Sequence, residues 1–304
     1  MAVNTSVTVS GLLAQKWDKM FLEIATPMLK HEQLCTPKKV ENNVGKVVNY
    51  TRYVMPANSA TLTEGALPTA GTTSVVTVTA TIAEEGYYEQ VSTLLTFTGL
   101  DDGMTQRAVV LGKHAGNTLD QRARDEMFNG ATVYLANAKA GITNITTADK
   151  LDAPNVRKAV RLLKSAFAPQ RSTGRYAAVI SEYAEFDLIS DATWVAAKQY
   201  SDVNDLYNSY IGTFLDVDFV TSNQGKFEVS TIPQVWSNFF LGDEAVAKVD
   251  LNGLAKPTMF VKTSDNNDTS QPINTYITVG WKSYVTYKTL NPAYMVNVKT
   301  GSLG

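Results

Sequence analysis

Two runs of alternating residues constrain the fold of this chain more than any other feature. Val47, Asn49, Thr51 and Tyr53 alternate with Val48, Tyr50, Arg52 and Val54; further on, Val76, Val78, Ala80 and Ile82 alternate with Thr77, Thr79 and Thr81. Period-two alternation predicts two strands. The stretch from Ala57 to Ser74 between them has two glycines and almost no large apolar residue, which predicts a long tip on an extended hairpin within residues 45–93. Two polar strands carry too little apolar surface to hold themselves in water. Such a hairpin needs a surface to lie on, and a lone subunit offers little of it. The chain is therefore a candidate for assembly.

The rest of the pattern surrounds that hairpin. Residues 1–10 are small and polar and read as an extended arm. Leu13, Trp17, Met20, Ile24 and Met28 then recur at helical spacing, predicting a helix from Leu12 to about Leu34, capped by Ser10 and kinked at Pro27. An arm and a helix ahead of any core pattern read as a docking element. Residues 101–140 predict one long helix, opened by Asp101 and Asp102, with Val109, Leu111, Ala115, Leu119, Ala123, Met127 and Phe128 on its buried side. It has no heptad seam, so it reads as the backbone of a flat domain rather than a coiled coil. Beyond it, Asp152 and Pro154 open a helix carrying Val156, Val160, Leu163 and Phe167. Tyr176–Ser181 reads as a buried strand, 184–200 as a helix, and Gly212–Ser222 as a bent strand or strand pair. Val235–Leu241 and Ala245–Leu251 are strands around the Gly242-Asp243-Glu244 turn. Residues 263–272 are a polar loop, and the chain ends in strands around Asn291-Pro292.

Charge and composition exclude several classes. The 304 residues give a soft prior of about two domains. Acidic and basic side chains nearly cancel, 29 against 27, which argues against a protein whose main task is gripping nucleic acid. The balance is regional, however. Residues 151–175 hold six basic residues and one acid, while 176–260 hold twelve acids and four lysines. Opposed regions of this kind suit contacts between copies. One cysteine excludes an intrachain disulfide framework, and two histidines make a multi-histidine metal site within one chain all but impossible. No run of 18 apolar residues occurs, so no membrane-spanning helix is expected. Trp17, Asp18 and Glu23 interrupt the only apolar stretch near the start, which does not read as a secretory signal.

No phosphate-binding loop, dinucleotide fingerprint, nucleophile elbow or zincin motif is present. His31 and Cys35 stand at i and i+4 and could share a metal; the plainer reading is a partly exposed helix face. Cys35 as a nucleophile would need His31 or His114 as its base. Asp216 and Asp218 alternate on a strand, which predicts both on one face, either as a paired-carboxylate site or as an ordinary solvated or interface face. Asp265–Asp268 resembles a calcium loop only faintly, because Tyr276 stands where such a loop needs a glutamate. Arg157, Arg161 and Lys164 form a basic helix face that could be solvated, meet another subunit or meet DNA. Trp281, Tyr284, Tyr287 and Tyr294 sit at strand spacing and read as core. No enzyme, cofactor or metal is expected.

The order of parts, together with local residues, resembles the major capsid proteins of tailed bacteriophages. Glu64-Gly65 in the tip, and Glu85-Gly86-Tyr87-Tyr88 to Val91-Ser92 before the long helix, are similar to that family's extended-loop return. Gly212–Ser222 resembles its GxFLGxxxxxS strand, with Asp216 where the family often has glycine. Phe240–Ala245, Val279–Lys282 and Leu290–Met295 resemble its later signatures, most specifically in the podovirus family named for coliphage N four. The resemblance implies an α+β phage major-capsid fold, shared with herpesvirus capsids and encapsulins. It implies an N-terminal arm and helix (1–44), an extended loop (45–93), a peripheral domain with a spine helix (94–146 and 261–304) and an axial α/β domain (147–260). It further implies a homo-oligomer of pentamers and hexamers tiling an icosahedral shell around double-stranded DNA held non-specifically. Portal, separate scaffolding and decoration proteins would be partners, without a membrane; the shell would assemble in the bacterial cytoplasm and persist in the virion. Inter-subunit contacts are expected at Trp17, Met20, Arg52, Glu64, Gly65, Leu67, Arg157, Arg161, Lys164, Asp216 and Asp218. Neither a large N-terminal pro-segment nor a Lys-Asn crosslink is expected. The alternatives are an encapsulin-like nanocompartment shell and a β-rich phage surface or tail binding protein.

Overall fold

A computed structural model describes residues 29–41, 45–54, 56, 61–62, 64–65, 70–98, 103–201, 211–228, 233–262 and 275–302. The expected sites Trp17, Met20 and Leu67, the helix-opening Asp101 and Asp102, and the 263–272 loop lie outside these residues. Strands β1 (Thr36–Val40), β2 (Val47–Tyr53), β3 (Val75–Thr81) and β4 (Ala83–Ser92) precede helices α1 (Thr93–Thr98) and α2 (Gly103–Gly130). β5 (Thr132–Leu135), α3 (Ala153–Ser165), β6 (Tyr176–Ser181), α4 (Glu182–Ile189) and α5 (Ala192–Ser201) follow. The remainder is strand: β7 (Thr213–Phe214), β8 (Val217–Ser222), β9 (Lys226–Phe227), β10 (Gln234–Leu241), β11 (Val246–Leu251), β12 (Thr258–Lys262), β13 (Tyr276–Thr289) and β14 (Met295–Ser302).

These strands form two sheets and a hairpin. In the first sheet the long β13 is central. It pairs with β4 on one side and with β12 and then β11 on the other, and β1 adds in parallel to β11. The second sheet runs β5-β14-β10-β6-β8-β7, with β9 also on β10. Among the described residues β2 and β3 pair only with each other, in the register Val47 to Thr81 through Tyr53 to Val75. Ala83 is where the chain leaves the hairpin for the first sheet. The second sheet draws β5 and β14 from outside residues 147–260, and the first sheet draws β11 from inside them.

Sequence patterns explain the layers. Tyr176–Ser181 is buried throughout because it is covered on both faces. Ala177 and Val179 face the core under α2, whereas Tyr176, Ala178 and Ile180 face the one under α3, α4 and α5. α2 ties the two sheets together. Ala108, Leu111 and Ala115 pack on Met259, Val279 and Trp281 of the first sheet. Leu119, Ala123 and Met127 pack where Phe239 and Leu241 of the second sheet meet Val285 and Tyr287 of the first. Burying each of its large apolar side chains contributes roughly 1.5–3 kcal/mol.

Two expected helices end differently. The spine helix stops at Gly130 instead of near residue 140, and Thr132–Leu135 becomes an edge strand parallel to β14. A Cβ at Gly130 would lie 2.1 Å from Thr289 Oγ1, so only glycine allows the helix end to approach β13 this closely. The expected 184–200 helix is two helices. The Asp191 carboxylate accepts the amide N–H of Thr193 at 2.6 Å and that of Ala153 at 3.0 Å, capping α5 and tying it to the start of α3. Asp152 caps α3 as expected, accepting the Asn155 amide at 3.0 Å. The chain crosses between sheets at Gly242, where a Cβ would lie 2.8 Å from the Pro169 carbonyl.

Candidate assembly surfaces

Among the described residues the β2–β3 hairpin is anchored at its base. Ala80 and Ile82 are buried against Val40, Ala247 and Val249, with Val48 and Tyr50 beside them. Towards the tip, Val75 and Val76 are exposed and Tyr53 is 74% exposed, and at the base Val47 is exposed as well. Arg52 is half-buried on β2. Glu64 and Gly65 form an exposed turn, with Gly65 at φ 78°. Exposed apolar side chains gathered on one hairpin mark a candidate interaction surface.

The acidic and basic site residues come together partly inside one chain. Asp216 sits in the β7–β8 turn, where Leu215 and Asp216 adopt φ 50° and 68°, so it does not share a strand face with Asp218 as expected. The tight turn, which the sequence did not signal with Asn-Gly or Asp-Gly, redirects it. Lys164 Nζ lies 2.9 Å from Asp216 Oδ2, and Gln170 donates to the same oxygen at 3.1 Å. Its hydrogen bond to Asp216 raises the Lys164 pKa. Asp218 accepts Thr173 Oγ1 at 2.9 Å, with Arg175 at 3.5 Å. These carboxylates are paired with cations, not with each other. Arg171 turns inward and donates to the Leu34 carbonyl at 2.7 Å. Arg157 and Arg161 remain exposed on α3.

His31 and Cys35 depart from the expected partly exposed helix face. Residues 32–34 form a short 3-10 turn leading into β1, and both side chains are buried. Asp120, fully buried in the middle of α2, accepts the His31 amide at 2.6 Å, the Glu32 amide at 3.1 Å and His31 Nδ1 at 2.7 Å. Glu32 in turn engages Lys248 and the Tyr287 hydroxyl. Burial, and then the Glu32 charge, push the Cys35 thiol and the Tyr287 hydroxyl up. His31 and Cys35 thus clasp the start of the described chain to the spine helix. The partners that bury them come from α2, β11 and β13, which no local signal reveals. His114 is likewise structural, accepting from Trp281 Nε1 at 3.2 Å and packing 4.6 Å from the Tyr87 ring.

A groove of about 410 Å³ lies across the first sheet, lined by Tyr87, Tyr88, Phe260 and Trp281 and flanked by Lys262 and Lys282. Glu84 and Thr278 also line it, and Glu84 pairs with Lys282. Among the described residues no helix is long and apolar enough to cross a membrane.

No protein-family model matches the chain, and neither does any curated protein. Solved structures do. A chain of the cyanophage Pam1 capsid asymmetric unit superposes with a TM-score of 0.69 at 16% identity, covering 88% of this chain and 89% of that one. This is the tailed-phage capsid fold. The capsid of Ralstonia phage GP4 matches with a TM-score of 0.66 at 12% identity, over 88% and 87% of the two chains. A virus-like particle from Pyrococcus furiosus matches with a TM-score of 0.57 at 12% identity, over 93% and 98%. β2–β3 and α2 are the hairpin and the long helix that the sequence pattern predicts.

Proposed function

We propose that this protein is a major capsid protein that self-assembles into an icosahedral shell around the double-stranded DNA of a tailed phage. The observation that carries the reading is the hairpin. Among the described residues β2 and β3 pair only with each other and expose Val47, Tyr53, Val75 and Val76, in a chain whose fold over most of its length is that of a capsid subunit. In the shell the hairpin lies across a neighbouring copy and buries the surface it leaves open alone. Arg52, Glu64, Gly65 and Leu67 contribute to that contact, and Trp17 and Met20 dock the N-terminal helix on an adjacent copy. The region 147–260 gathers around five-fold and six-fold axes as pentamers and hexamers. Arg157, Arg161, Lys164, Asp216 and Asp218 lie in it, the last three also held by intrachain pairs. The spine-helix slab, 94–146 with 261–304, forms the shell wall. DNA is enclosed non-specifically, and the protein works by packing, without catalysis or cofactor. Portal, scaffolding and decoration proteins complete the assembly in the host cytoplasm. The motifs at 212–222 and 290–295 favour the podovirus group named for coliphage N four.

Electron microscopy of the expressed protein tests this reading: closed shells are expected, and a stable monomer or trimer would refute it and favour a surface or tail protein. Deleting residues 57–73 should leave folded but unassembled protein. A nanocompartment shell is the second reading, favoured by the likeness to the Pyrococcus particle. Particles filled with protein instead of nucleic acid would select it.

A further inference from the structure

Phe167 breaks a local rule without a local gain. α3 ends in a hydrogen-bonded motif in which the Ala168 amide donates to the Leu163 carbonyl at 3.0 Å and the Phe167 amide to the Lys164 carbonyl at 3.1 Å. In that motif the residue just past the helix adopts the left-handed conformation, and glycine is strongly preferred there. Here it is a phenylalanine at φ 55°, and the residue is 88% exposed. Ala168 and Leu163 complete the motif's apolar contact in the core, so the ring of Phe167 is not needed to end the helix. A strained aromatic facing solvent marks a site kept for another purpose.

Its neighbours indicate which partner it meets. Arg157 and Arg161 stand one turn apart on the outer face of α3, with Lys158 beside them, and none of the three has an ion-pair partner among the described residues. α4 shows the opposite surface. Glu182 and Glu185 share its outer face with Phe186, which is 70% exposed, and neither acid is ion-paired among the described residues. Both helices cover the same face of the second sheet. One chain therefore presents a basic helix ending in an exposed aromatic and, separately, an acidic helix with an exposed aromatic. Two different complementary patches on one chain form a head-to-tail contact, the kind that closes into rings.

We infer that α3 of one copy docks on α4 of the next around each ring. Phe167 and Phe186 are the anchors, and Arg157 and Arg161 face Glu182 and Glu185. This rests on the shell reading. The test uses the full chain, following assembly by light scattering and electron microscopy and thermal unfolding at concentrations below assembly. F167G relieves the left-handed strain, so its unassembled midpoint should rise by about 2 °C. The concentration needed for shells should nevertheless rise by about tenfold or more, as for loss of an anchor residue. F167A should weaken assembly without raising the midpoint. R157E/R161E should block assembly, and adding E182R/E185R to the same chain should restore it. Normal assembly of F167G, or a lowered midpoint, would overturn the anchor role. Failure of the fourfold charge swap to rescue would overturn the α3–α4 pairing and leave a separate acidic partner for α3. A wild-type chain that builds no shells would instead defeat the shell reading itself, whatever these variants do.

Discussion

Asp120 is the position where a single substitution tests most of the architecture. Its carboxylate is fully buried and accepts three donors: the amides of His31 and Glu32 and the His31 ring nitrogen. D120A leaves all three in a site closed to water. Each orphaned donor costs about 1–3 kcal/mol. The three donors share one cavity and relax together, so the expected loss is about 4 kcal/mol rather than the full sum. D120N keeps an oxygen for the two amides, and its NH2 can donate to the imidazole in the other tautomer, so about 1 kcal/mol is expected. H31A removes the ring but leaves the amides bonded and belongs between them. Urea unfolding of the purified chain at low concentration gives the three values. Hydrogen exchange should show β1 losing protection first in D120A, because the clasp directly precedes its pairing with β11. If D120A and D120N both fall within 1 kcal/mol of wild type, the clasp does not hold the chain and the reasoning is wrong.

Three further outcomes follow from the packing. G130A should lose roughly 1–3 kcal/mol by overpacking against the stiff Thr289 side chain; adding T289A should recover much of it, and an unchanged melting midpoint in G130A would refute the close approach. For Asp149, burial alone would raise the pKa. The Thr146 amide, the Asn137 side chain, the Thr146 hydroxyl and Lys139 outweigh that effect and lower it to about 2. Its contribution of about 2 kcal/mol should be complete above pH ~4 and lost as the pH falls towards 2, and D149N should flatten that part of the stability curve. Cys35, buried with its thiol pushed up by desolvation and then by Glu32, should resist iodoacetamide in the folded chain and react fully in urea; labelling at the rate of a free thiol would contradict its burial.

How much of this was legible in the sequence depends on the range of the interaction responsible. The Asp152 cap, the Tyr176–Ser181 strand and the paired β2 and β3 were legible because a cap or a periodicity lies within a few residues. The end of the spine helix was not, because Gly130 is matched to Thr289, far along the chain. The division of the 184–200 pattern follows from Asp191 bonding the start of α3. His31 and Cys35 looked like a partly exposed helix face because Asp120, Lys248 and Tyr287, which bury them, are distant in sequence. Asp216 and Asp218 looked like a pair until a left-handed turn separated them and cations from 164–175 took them up.

By itself the sequence determined the kinds of element, their order, and the presence of a hairpin too polar to stand alone, since hydrophobic period and turn chemistry are local. Only the tertiary structure decided which charges are spent inside the chain and which remain on its surface. Ion pairs and close glycine contacts join residues that only the folded sheets bring together. Lys164, Arg171 and Arg175 are engaged internally, whereas Arg157 and Arg161 still face outward, and that difference separates the charges held within the fold from those left on its surface.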